Sequence, residues 1–68
     1  MINVDQYLYR TRKSIRQVCT ENGIAFDDAQ VIAVDSCTSC NIWQKPRDLR
    51  LDLDENLICR QCYDHFGL

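Results

Sequence analysis

The stretch Cys37–Cys62, CTSCNIWQKPRDLRLDLDENLICRQC, carries two Cys-x-x-Cys pairs separated by eighteen residues. Each pair can form a tight knuckle that points both sulfurs inward, and a hairpin between the pairs can bring them together. Four thiolates suit a closed tetrahedral zinc site. The spacing therefore marks Cys37, Cys40, Cys59 and Cys62 as ligands of one structural Zn²⁺ ion, with four-thiolate iron as the chemical rival. A redox Cys-x-x-Cys needs one pair at a helix start in a larger α/β scaffold, and a catalytic zinc needs an open position beside a general base. Neither fits two pairs in so short a chain. His65 follows Cys62 by three residues but is surplus once four thiols bind. Cys19 reads as a small buried hydrophobe.

The whole chain has 68 residues, of which 46% are hydrophobic, and a formal net charge of −2. A chain this size is one domain at most, near the limit for a lone hydrophobic core, so a structural metal is the expected extra source of stability. No run approaches the ~18 apolar residues of a bilayer span. The N-terminus has no apolar signal-peptide region, which predicts a cytoplasmic, non-membrane protein. Five cysteines in a reducing compartment are not read as a disulfide framework. Four thiolates and one zinc ion would take the net charge to about −4, which argues against a generic phosphate-backbone binder.

Working outward, residues 3–22 are expected to form one amphipathic helix. Asn3 with Gln6 supplies a capping box. Val4, Tyr7, Leu8, Ile15, Val18 and Cys19 make an apolar stripe with Thr11 in its central gap, and Gly23 suits a left-handed stop. Residues 26–35 read as a connecting strand or a short helix. The strand is favoured, because a recognition helix there would offer mainly Asp27, Asp28 and Gln30 where basic or amide side chains are needed. Leu49, Leu51 and Leu53 alternate with polar residues, so a hairpin with "DEN" as its turn should return through "LIC". A short helical turn is expected over 62–67.

With its ligands placed, the chain resembles a treble-clef zinc finger: knuckle, hairpin, then a second knuckle opening a helix. Within that class, "CTSC…KP…R…LICRQC" is similar to GATA-type fingers, which share the Pro46 position and the "LCxxC" knuckle. Their loop is usually seventeen residues, and the Trp-Arg-Arg stretch and basic tail of their DNA-contacting parts are missing here. The overall layout resembles small TraR/DksA-type proteins, with an N-terminal helix and Cys-x-x-Cys near position 37. That resemblance implies a regulator that binds bacterial RNA polymerase through its secondary channel, with Asp5 matching an acidic helix tip. The glycine usual in that family after the second cysteine is Asn41 here. The expected architecture is a small α+β zinc-binding domain, an N-terminal amphipathic helix followed by a treble-clef finger.

Two surfaces remain to carry function. Tyr9, off the helical stripe, and Trp43 are candidate protein contacts, since such rings join large area to a polar handle. Arg10, Arg12, Lys13 and Arg16 on the helix, with Lys45, Arg47 and Arg50 in the finger loop, are candidate phosphate contacts for a nucleic acid. A protein partner is favoured over a nucleic acid, and a symmetric dimer is one way to cover a leftover apolar patch. No Gly-rich phosphate loop or H-E-x-x-H motif is present, and the single histidine cannot build a histidine-centred nuclease site. The chain is therefore not expected to be an enzyme.

Overall fold

The computed structural model describes residues 1–67. In chain order the elements are β1 (Ile2–Asn3), α1 (Asp5–Leu8), α2 (Ile15–Asn22), β2 (Ala29–Gln30), β3 (Asp35–Ser36), β4 (Trp43–Gln44), β5 (Leu49–Leu51), β6 (Leu57–Cys59) and α3 (Arg60–His65). The strands pair as parallel β1–β2, antiparallel β3–β4 and antiparallel β5–β6. The result is a small mixed α+β domain whose cysteine half has the treble-clef order of knuckle, hairpin, knuckle and helix. With extents of 41 × 17 × 16 Å the molecule is elongated, and it has two cores in place of one.

The single helix expected over 3–22 is instead two short ones. Tyr9 leaves α1 in an extended conformation, and Arg10 is left-handed at φ 61°. Thr11 closes the turn: its backbone N–H and its hydroxyl both donate to the Leu8 carbonyl, at 2.9 and 2.8 Å. In a continuing helix that carbonyl would serve residue 12. Ser14 then caps α2, its oxygen accepting from the Gln17 N–H at 3.1 Å. Hydroxyl side chains favour such local bonds over helix interior, so the gap at Thr11 is a break and not a filled stripe position. The break also serves burial. A straight helix of that length would extend about 30 Å and string its apolar residues out, whereas the fold brings Val4 and Leu8 against Val18.

The capping box does not form either. Asn3 accepts from the Asp5 N–H at 2.8 Å, and Val4 occupies the cap position without a side-chain bond. Pairing of Ile2 and Asn3 with Ala29 and Gln30, continued by the Val4 N–H to the Gln30 carbonyl at 3.0 Å, draws the chain start into a β-bridge. Gly23 ends α2 at φ 67°, and the N–H groups of Gly23 and Ile24 return to the Cys19 carbonyl.

Residues 26–35 divide into a 3₁₀ turn at Phe26–Asp28, then β2, a bend and β3. In place of the one connecting strand favoured over 26–35, only its two-residue pieces β2 and β3 are extended and paired. Val34, just before β3, and Trp43, on β4, both reach back to the helical core of Val4, Leu8 and Val18. The second core consists of Cys37, Leu49, Ile58 and Cys59, with Cys40, Cys62 and Tyr63 packed against it. α3 begins at Arg60, two residues before the expected start. The hairpin turn is organised by Asp52, whose Oδ1 accepts from the N–H groups of Asp54 and Asn56 at 2.9 and 2.8 Å. The alternation of its leucines predicts one buried face, but only Leu49 is buried; Leu51 is 59% and Leu53 88% exposed.

Candidate metal centre

The fold brings Cys37, Cys40, Cys59 and Cys62 together, with all four sulfurs within 4.8 Å of one another. β3 and β4 are the arms of the first knuckle. The Cys37 N–H donates to the Ile42 carbonyl and the Asn41 N–H to the Cys37 carbonyl, both at 2.9 Å. This geometry needs a left-handed residue after the second cysteine, and Asn41 supplies it at φ 62°; Asn is among the few non-glycine residues that visit this region readily. β6 delivers Cys59, which caps α3, and Cys62 lies in the first turn of that helix. The knuckles are tied together by Thr38, whose N–H and hydroxyl both donate to the Leu57 carbonyl at 2.8 Å.

Two sulfur pairs, Cys37–Cys62 and Cys40–Cys59, are each 3.7 Å apart. A regular tetrahedron of metal–sulfur bonds of about 2.3 Å has edges of about 3.8 Å. The cluster thus has the dimensions of a four-thiolate metal site. Its electrostatics point the same way. Burial opposes ionisation of Cys37, but the N–H groups of Cys40, Cys59 and Ser39 and the Cys40 thiol outweigh it and bring Cys37 down to about 6. Burial, then the neighbouring thiols, push Cys62 up to about 12, and burial raises Cys40 as well. One thiolate forms readily and discourages the next, which is the situation a divalent cation resolves. Cys19 and His65 are not part of the cluster: Cys19 is buried on α2, and His65 lies edge-on to Phe66.

The other candidates fall around the junction of the two cores. Asp5 does not present a free acidic tip. Its carboxylate accepts from the N–H groups of Ile32 and Ala33 at 3.0 and 2.8 Å, holding the bend before β3. Trp43 is half-buried and works as a latch: its Nε1 donates to the Lys13 carbonyl at 2.9 Å, while its backbone pairs with Arg10 and Thr11. Tyr9 is also half-buried, donating its hydroxyl to Asp48 at 3.0 Å with the Arg10 and Lys45 cations over its ring.

The two basic clusters therefore meet at Tyr9. Lys13 pairs with Glu21 at 2.7 Å, Arg16 lies 4.3 Å from the Phe26 ring centroid, and Arg50 donates to the carbonyls of Arg47 and Leu49. Arg12 and Arg47 are exposed. A cleft of about 450 Å³ between the halves is lined by Arg10, Gln44, Asp48, Arg60, Gln61 and Asp64, among others. Sequence carries one signal for the last three: in a helix capped by Cys59 their spacing places Arg60, Gln61 and Asp64 on one face.

No helix among the described residues is long and apolar enough to cross a membrane. The chain matches no known family model, no curated protein and no solved structure.

Proposed function

We propose that the chain is a structural-zinc interaction module, not an enzyme, acting in the cytoplasm on a protein partner. The specific form we favour is a transcription regulator that binds bacterial RNA polymerase. The observation that carries the preference for protein is the state of the cations. Of the seven candidate phosphate contacts, Arg10, Lys13, Arg16, Lys45 and Arg50 are aimed at the chain's own rings, carboxylate or carbonyls. Among the described residues only Arg12 and Arg47 are left, on a chain of formal charge −2. Redirecting each engaged cation costs on the order of 0.5–1 kcal/mol, a small sum per residue but one without compensation from a favourable overall field. Zinc fits the four-sulfur donor set, in which every position is a protein ligand and none is left for substrate. Bound there, it would neutralise the crowded thiolates and fasten both knuckles.

In this reading the polymerase contact uses two short helices in place of one long one, and Asp5 contributes by shaping the bend. Direct titration of the zinc-loaded protein onto purified polymerase, beside a labelled duplex and a labelled single strand, tests the reading. Polymerase binding that persists at physiological salt is expected, with DNA binding weak and lost over a modest salt increase. Tight, salt-resistant DNA binding would overturn the protein-partner reading. Absence of a polymerase complex would overturn its specific form.

A further inference from the structure

The β5–β6 hairpin ends in an exposed tip. Leu51 and Leu57 are direct cross-strand partners, and Leu53 opens the turn that follows, so three exposed leucines gather at this end of the hairpin; they are 59%, 37% and 88% exposed. The turn beyond adds carboxylates. Asp52 is used within the turn, but among the described residues no bond of this kind engages the side chains of Asp54 or Glu55. The ribbon is thus an apolar finger with an acidic tip. Such a shape is complementary to an apolar groove with a basic rim.

The same chain has that groove. Between α1 and the 46–48 turn runs a cleft of about 570 Å³, with Tyr9, Val34 and Pro46 among its walls and Lys45 and Arg47 at its edge. This is within the ~300–1,000 Å³ range of sites that enclose ligand-sized apolar groups. Asp5 also borders it, but its carboxylate is satisfied by the Ile32 and Ala33 amides. The chain's own ribbon does not fill the groove, as the exposure of Leu53 shows.

We propose that the groove takes the leucine ribbon of a second copy of this chain, with Leu53 in the apolar cleft and Asp54 and Glu55 against Arg47. Large exposed apolar surface marks an association site, and opposite charge at its edge fixes the register and excludes the like-charged alternative of ribbon against ribbon. The inference does not depend on zinc being the metal or on polymerase being the partner.

Sedimentation velocity on the metal-loaded full chain, from about 10 μM to about 1 mM, measures it as a dissociation constant. Concentration-dependent association is expected. Leu53→Ser removes the finger and Arg47→Glu reverses the rim; both sites are exposed, and retained metal content and circular dichroism verify the fold. Each variant alone should weaken association by at least about tenfold. Mixed in equal amounts they should associate again, because the groove of the first is intact and so is the ribbon of the second. Arg47→Glu combined with Asp54→Arg should also recover association. A chain that stays monomeric over the whole range leaves the groove to a segment of some other protein and overturns the proposal, as does association unmoved by both substitutions or a mixture that fails to recover.

Discussion

Removing the Asp5 carboxylate should destabilise the domain, without any partner present. Two backbone N–H groups, from Ile32 and Ala33, depend on it across a separation of more than twenty-five residues. Hydrogen bonds to charged groups contribute about 1.5–3 kcal/mol each when well shielded; these lie in a solvent-accessible setting, so about 1 kcal/mol each is the better figure. Asp5→Ala should therefore cost about 2 kcal/mol, against a total of roughly 3–10 kcal/mol for a domain of this length. Asp5→Asn keeps one acceptor oxygen and should lose about half as much. Urea unfolding of the metal-loaded protein at fixed metal concentration, followed by Trp43 fluorescence and far-UV circular dichroism, reads the change as a lower midpoint at similar slope. A melting temperature lower by about 10 °C is the thermal counterpart. A loss below about 0.5 kcal/mol, within the range of ordinary surface substitutions, would refute the anchoring role and return Asp5 to the list of free surface carboxylates.

Trp43→Phe preserves most of the ring but removes the Nε1 bond to Lys13, and should cost about 1 kcal/mol plus some packing; tyrosine fluorescence or circular dichroism would follow the unfolding. Gly23→Ala meets open space within 4 Å, so its cost is backbone strain alone, about 1–2 kcal/mol, and thermal melts should show a correspondingly lower midpoint. On acidification, protons compete with the metal for thiolates. Cys37, lowered from 9.0 to about 6, stabilises the metal-free fold fully above pH 9 and loses that contribution as pH falls through about 6. Cys62, raised from 9.0 to about 12, does the reverse, contributing below pH 9 and ceasing to as pH rises through about 12. With metal bound, all four thiols are ionised, so lowering the pH from neutral should release metal and unfold the chain together; a metallochromic indicator read beside circular dichroism checks that the two coincide.

How much of this was legible in the sequence depended on the range of the interaction. Knuckle spacing is local and chemically specific, so the clustering of the four cysteines and the hairpin between them were readable from residue type and interval. The stop at Gly23 was readable for the same reason. The helix break was written in Thr11 and Ser14, but apolar periodicity on both sides of it masks a six-residue interruption: Ile15 keeps helical phase with Leu8 whether or not the chain continues straight. The roles of Asp5, Tyr9 and Trp43 were not readable. Each depends on a partner at least twenty-seven positions away (Ile32, Asp48 and Lys13), and no local pattern encodes such a pairing. The basic clusters were visible as composition, whereas their engagement by the chain's own rings and carboxylate appeared only in three dimensions.

The same long-range ties would make a metal bound at the four-cysteine cluster responsible for more of the molecule than the cluster itself. If the two cores were independent, chelation would unfold the cysteine half and leave α1 and α2 intact. They are not independent. Val34 and Trp43, which complete the helical core, lie next to and on the two arms that the first knuckle holds together. The segment after α1 is itself pinned by the Trp43 backbone. Without metal, the crowded thiols have no cation and the arms lose their anchor; the helical half is then left with Val4, Leu8, Val18 and Cys19 as its fully buried residues. A helix of eight residues is not stable alone in water, where about 12–15 are marginal. The metal's contribution, about 10–16 kcal/mol in small structural zinc sites, exceeds the entire stability expected for a chain of this size. Chelation should therefore abolish helical circular dichroism and expose Trp43 in one transition, and re-addition of zinc should restore both in step. A metal-free chain that keeps dispersed amide resonances for residues 1–31 would show that the two cores stand separately and that the Trp43 latch transmits nothing.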